Sequence, residues 1–155
     1  MKTRLNDSDR SWARGLAADG AAWLDVSVPG WAQRLGDVPI DISSCTKCVV
    51  GRLGGVGEET HKAWIEGAEK LGIKDYKTLV DLGFGAHYRV TWDWDVDALI
   101  EYHSVLSDQW NIEIAKRLGD SHDRSGNPGT CRGANHETEV RAAGNGYAPM
   151  EVQTV

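Results

Sequence analysis

The chain has 155 residues, 41% of them hydrophobic, with a net charge of -6 and a pI near 5.3. A single domain of that length buries a core without help from disulfides or metals. The dispersed acidity, with no basic patch, speaks against nucleic-acid binding, which draws its affinity from clustered Lys and Arg. No run approaches the ~18 apolar residues of a membrane span. An odd three cysteines and a polar opening with no signal-like stretch point to free thiols in a reducing cytoplasm.

In chain order, residues 1–7 form an extension. Residues 8–24 then carry Trp12, Ala13, Leu16, Ala17, Trp23 and Leu24 mostly at three- and four-residue spacing, which predicts an amphipathic helix with Ser8 or Asp9 as its cap. Pro29 opens a short second helix that Gly36 closes. Ile40-Asp41-Ile42 alternates as an extended segment. From Ser44 a third helix is expected to about Leu53, with Cys48, Val49 and Leu53 inward, stopping in Gly54-Gly55-Val56-Gly57. Those glycines lack the preceding strand and the Lys-Ser/Thr of a phosphate loop. A fourth helix from Glu58 or Glu59 to Leu71 places Trp64, Ile65, Ala68 and Leu71 on one stripe, with Gly72 as its stop.

Asp75 caps a fifth helix through Val80, which Gly83 and Gly85 end. Residues 87–90 read as extended, a pairing partner for residues 40–42. The clearest periodicity is the last, in which Val96, Leu99, Ile100, His103, Leu106, Trp110, Ile114 and Leu118 recur at helical spacing. Thr91 or Asp93 caps that helix. Asp93, Asp95 and Asp97 face its positive end, and Lys116 and Arg117 its negative end. The same aspartates imitate a calcium loop but lack its glycine and its final glutamate. After Gly119 the apolar period stops, and residues 120–155 read as a mobile arm or one ordered by a partner. The expected fold is therefore mainly α. It is a compact helical domain over 8–119 with a long C-terminal amphipathic helix, room for one short strand pair, and an irregular C-terminal arm.

Cys45 and Cys48 stand one helical turn apart behind the hydroxyls of Ser43 and Ser44. A Cys-x-x-Cys pair at a helix start is the geometry of thiol oxidoreductases, where the dipole lowers the first thiol's pKa, yet the βαβ surroundings of such enzymes are missing. Cys45, Cys48 and His61 also reproduce the first three ligands of a zinc-finger spacing, without a histidine at the fourth position. His87, Cys131 and His136 are the distant candidates for that place. The plainer reading packs Cys48 as a small apolar side chain beside Val49. His103, on the apolar stripe and flanked by Glu101 and Tyr102, reads as a boundary histidine.

No complete catalytic constellation stands in the sequence. What does stand out is seven tryptophans against one phenylalanine. Each indole carries an N–H that needs a partner, so part of the set is expected at a core edge or an interface. Trp92 and Trp94 are the first candidates for a binding surface, with Tyr147 of the arm in support.

Ala21-Ala22-Trp23-Leu24-Asp25, Val28-Pro29-Gly30-Trp31, the run from Asp41 to Gly54 and Leu82-Gly83-Phe84 together resemble a family of small proteins from actinobacterial phages and their prophages. That family carries Trp-Leu-Asp, Pro-Gly-Trp and Cys-Val-Leu-Gly-Gln segments ahead of a Gly-Phe. The likeness covers about residues 17–85, and the chain departs from it with Val50 for Leu and Arg52 for Gln. The resemblance implies origin and brings no activity with it. It describes a phage protein made in the host cytoplasm, where such accessory proteins bind and modulate host factors. The expected function is non-enzymatic, with no cofactor: binding a host or phage protein, or self-association as a homo-oligomer, away from membranes and nucleic acid. The alternatives are a thiol-redox or zinc protein centred on Cys45 and Cys48, and a virion-associated structural protein.

Overall fold

The computed structural model describes residues 3–85 and 94–124, with 120–124 described by backbone alone. These residues are mainly α-helical and include no strand. The helices are α1 (Asp7–Ser27), α2 (Trp31–Leu35), α3 (Val49–Gly54), α4 (His61–Lys70), α5 (Tyr76–Asp81) and α6 (Val96–Arg124). The two long helices, α1 and α6, pack on each other. α2 contacts α6 and α3, α5 contacts α1, and α4 lies on α3.

α1 begins in a capping box at Asn6, not at Ser8 or Asp9. The Asn6 side chain accepts the Asp9 N–H and the Asp9 carboxylate accepts the Asn6 N–H, both at 2.8 Å. Its buried face is Ala13, Leu16, Ala17, Gly20, Ala21 and Leu24. The small residues of that face let the rings of α6 come close. A Cβ on Gly20 would stand 2.0 Å from the Leu82 carbonyl oxygen and 2.8 Å from the Trp110 ring. Trp110 fills this space, fully buried. It stacks on Phe84 at 5.3 Å, meets Trp31 edge-on at 5.9 Å, and donates its indole N–H to the Gly83 carbonyl at 2.8 Å. Burying a ring of that size contributes roughly 5 kcal/mol of transfer free energy before entropy is charged against it.

Salt bridges brace both ends of the long pair. Near one end Arg117 donates to Asp25 at 2.7 and 2.6 Å and to Glu113 at 2.8 Å, with its guanidinium 5.2 Å from the Trp31 ring centre. Trp31 donates to the same Asp25 at 2.8 Å, and these donors, Arg117 first, hold the Asp25 carboxyl below its ordinary range. Near the other end Glu101 accepts from Arg10 at 3.1 Å and from the Leu5 N–H at 3.0 Å.

The start of α6 differs in register from the apolar repeat. Ala98 and Tyr102 face the core, while Val96 and Ile100 are 71% and 61% exposed. Tyr102 sets this rotation by stacking under Trp12 of α1 at 5.8 Å. From Leu106 through Trp110 and Ile114 the expected face is the buried one. Asp95 caps the helix by accepting the Ala98 N–H at 3.0 Å. The cap candidates read from the sequence, Thr91 and Asp93, lie outside the described residues. α6 also continues past Gly119 to Arg124. The remainder of the expected arm, 125–155, lies outside the described residues.

Residues 40–42 are not a strand. Ile40 and Ile42 are buried, and their N–H groups are accepted by Asn111 at 2.9 Å and Ser107 at 3.0 Å, side chains one turn apart on α6. The helix thus supplies the acceptors that a neighbouring strand would supply. The expected partner segment, 87–90, lies outside the described residues. α3 starts at Val49, later than Ser44, because residues 44–47 are drawn into a turn toward Glu59. For the same reason α4 starts after Glu59, with Thr60 capping the Ala63 N–H at 3.2 Å. Asp75 caps α5 as the sequence predicts, accepting the Thr78 N–H at 2.8 Å.

Candidate functional site

Two regions gather the residues singled out by their chemistry. The first is the loop that carries the cysteines. Glu59 is its organising side chain, and nothing in its sequence neighbourhood marks it out. Its carboxylate accepts from the Ser44 hydroxyl at 2.6 Å, the Cys45 N–H at 2.7 Å, the Thr46 N–H at 3.3 Å and the Thr46 hydroxyl. Hydrogen bonds from Ser44 and then Thr46 pull its pKa down to about 2. Behind it, Arg52 donates to the Val38 carbonyl at 2.7 Å and to that of Leu35, which pins the 35–38 turn.

The two thiols have different surroundings. Cys48 is buried and caps α3, its sulfur accepting the Gly51 N–H at 3.3 Å. Burial pushes its pKa up. Cys45 is partly exposed and lies three residues ahead of the α3 cap, Cys48. Partial burial and then the negative charge of Glu59 push its thiol pKa up as well. A lowered first thiol, which redox catalysis at a helix start relies on, is therefore absent from Cys45. His61, the first residue of α4, stacks on Trp64 at 5.7 Å and meets Tyr76 edge-on at 6.1 Å. Among the described residues no three His, Cys, Asp or Glu side chains converge as metal ligands. His87, Cys131 and His136 lie outside them.

Cys45 and His61 nonetheless share a cavity of about 190 Å³ with Trp64, Tyr76, Phe84 and His103. His103 also faces a second hollow of about 330 Å³, across from Asp41 and Ser107. Partial burial holds the His103 imidazole below its ordinary pKa, and the Asp41 carboxylate opposes that shift.

The second region is aromatic. Tyr102 is 1% exposed and has Trp12 stacked on it at 5.8 Å and Trp94 edge-on at 5.4 Å. Its hydroxyl is buried without a hydrogen-bond partner among the described residues, and burial raises its pKa. Trp12, which the sequence pattern turns inward, is 39% exposed. Trp94 is half-buried against the core. Of the other described tryptophans, Trp31, Trp64 and Trp110 are buried and Trp23 is half-buried. Trp92 and Tyr147 lie outside the described residues.

No family model, curated protein or solved structure matches this chain.

Proposed function

We propose that this is a non-catalytic accessory protein that acts by binding a protein partner or a second copy of itself, through a surface centred on Trp12 and Trp94. The observation that carries this reading is Trp12, an indole 39% exposed although it rests on the buried ring of Tyr102. Tryptophan and tyrosine dominate the energetics of interfaces because they contribute large apolar area with few torsions to freeze. The phage-family resemblance supports a partner in the host cytoplasm, encoded by host or phage. A virion-associated role would use the same surface.

The thiol or zinc reading has less support, because Cys48 is committed to capping α3 and, for redox chemistry, both thiols are pushed toward the protonated form. Native mass spectrometry checks it directly, since a zinc protein would carry one metal per chain that Cys45→Ser removes.

The test of the binding reading compares the intact chain with Trp12→Ser and with Trp12→Ser/Trp94→Ser. Sedimentation velocity reads self-association, and cross-linked capture from host extract reads a partner. The expected result is a dimer or a specific cross-linked protein that the variants lose while keeping their circular dichroism. A monomeric chain with no partner, or one whose partner is retained by both variants, overturns the reading.

A further inference from the structure

We propose that the cavity between the cysteine loop, α4 and α6 is a binding site for a small uncharged nitrogen heteroaromatic, a single ring or two fused rings, bordered by aromatic side chains and two imidazoles. This inference is independent of the aromatic surface on Trp12.

The walls argue for a flat ligand. Trp64, Tyr76 and Phe84 border the space, and their positions are fixed from behind. Phe84 is stacked on Trp110 at 5.3 Å and meets Trp23 edge-on at 6.2 Å. Trp64 is buried and meets Tyr76 edge-on at 6.3 Å. Gly85 borders the edge of the Trp64 ring so closely that a Cβ there would stand 3.2 Å from it. Its lack of a side chain leaves that edge open. A volume of about 190 Å³ lies slightly above the roughly 150 Å³ of an apolar protein cavity that takes up benzene.

The rim argues for ring nitrogens and against charge. His61 and His103 line the cavity, and a neutral imidazole offers one donor and one acceptor. The Cys45 thiol adds a weak donor. A ligand carrying both a ring nitrogen and an N–H can therefore be matched, whereas a plain hydrocarbon makes no hydrogen bond to these groups. No Lys, Arg, Asp or Glu stands among the described lining residues. The adjacent Glu59 carboxylate is occupied by Ser44, Cys45 and Thr46, and Asp41 approaches His103 from the neighbouring hollow. An ionised ligand would gain no carboxylate or ammonium partner from the described lining.

The experiment titrates the intact, isotope-labelled chain with adenine and follows the indole N–H resonance of Trp64. Benzyl alcohol serves as the control without ring nitrogens and adenosine monophosphate as the charged control. The expected result is saturable binding of adenine with Kd at or below about 1 mM, at least tenfold tighter than either control. Gly85→Val, which projects methyl groups over the Trp64 edge, is expected to weaken binding tenfold or more. His103→Phe keeps the ring but removes its nitrogens, and it is expected to weaken adenine about tenfold with benzyl alcohol unchanged. It serves as the second variant should Gly85→Val fold poorly. Absence of saturation by adenine, equal binding of either control, or full binding by a folded His103→Phe overturns the proposal.

Discussion

The pairing of α1 with α6 and the pairing of α3 with α4 are both closed by glycines, for different physical reasons. On α1, Gly20 makes room for a side chain, the Trp110 ring, and for the Leu82 carbonyl. On α3, Gly54 makes room for another backbone, since a Cβ there would stand 2.5 Å from the Gly67 carbonyl oxygen of α4. The first contact buries large apolar area between helices of 21 and 29 residues. The second joins helices of 6 and 10 residues, too short to persist alone in water. Their position depends on polar ties: Arg52 to the 35–38 turn, the Cys48 cap and the Glu59 clamp. The long pair is thus held chiefly by area; the short pair, whose Val49, Val50, Leu53 and Trp64 join the same core, adds close backbone approach and directed hydrogen bonds.

The sharpest test of that contrast is Trp110→Ala, expected to cost about 3–5 kcal/mol and to lower the cooperative unfolding of the whole chain, read by chemical denaturation. Gly54→Ala comes next, at about 1–3 kcal/mol, because the atom it meets is main chain and cannot turn aside. Gly67→Ala should cost less, since its nearest neighbour is a methyl of Val56 at 2.5 Å, and Val56→Ala in the same chain should restore most of the loss. If the two glycine variants proved equal, the closeness of the backbones would not be what joins α3 to α4.

Smaller effects isolate the polar half. The Glu59 carboxyl sits at about 2 in the folded chain against an ordinary 4.5. Its contribution is therefore complete above pH 4.5 and is lost as the pH falls through 2. Glu59→Gln should flatten that acid dependence in near-ultraviolet circular dichroism. It should also speed alkylation of Cys45 at pH 8, since removing the neighbouring negative charge eases thiolate formation. The smallest change in stability belongs to Trp12→Ser, expected to fall within about 1.5 kcal/mol, the value of a surface aromatic stack.

The sequence made the area-held half largely legible. The buried face of α1 and the face from Leu106 to Ile114 follow from apolar spacing, and Asp75 was readable as a cap. The register at the start of α6 was not readable, because Val96 and Ile100 are as apolar as Ala98 and Tyr102, and only the stack with Trp12 chooses between them. The same stack explains why Trp12 lies outward despite its place in the pattern. The polar half was largely hidden. Glu59 binds backbone 13 and 14 residues away, and no local signal marks a carboxylate that will close a distant turn. The cavity draws on residues from Ile42 to His103. Its readable hints were a histidine on an apolar stripe and the Cys45 and His61 of the zinc-like spacing.

The anchoring of Ile40 and Ile42 to α6 has a kinetic consequence. Their amides belong to no helix or strand, yet Ser107 and Asn111 hold them, so their hydrogen exchange should be as slow as opening of that helix allows. The segment can dock only once the turn bearing both acceptors has wound. The cysteine loop, tethered just beyond it, should lose its shape when that turn of α6 opens.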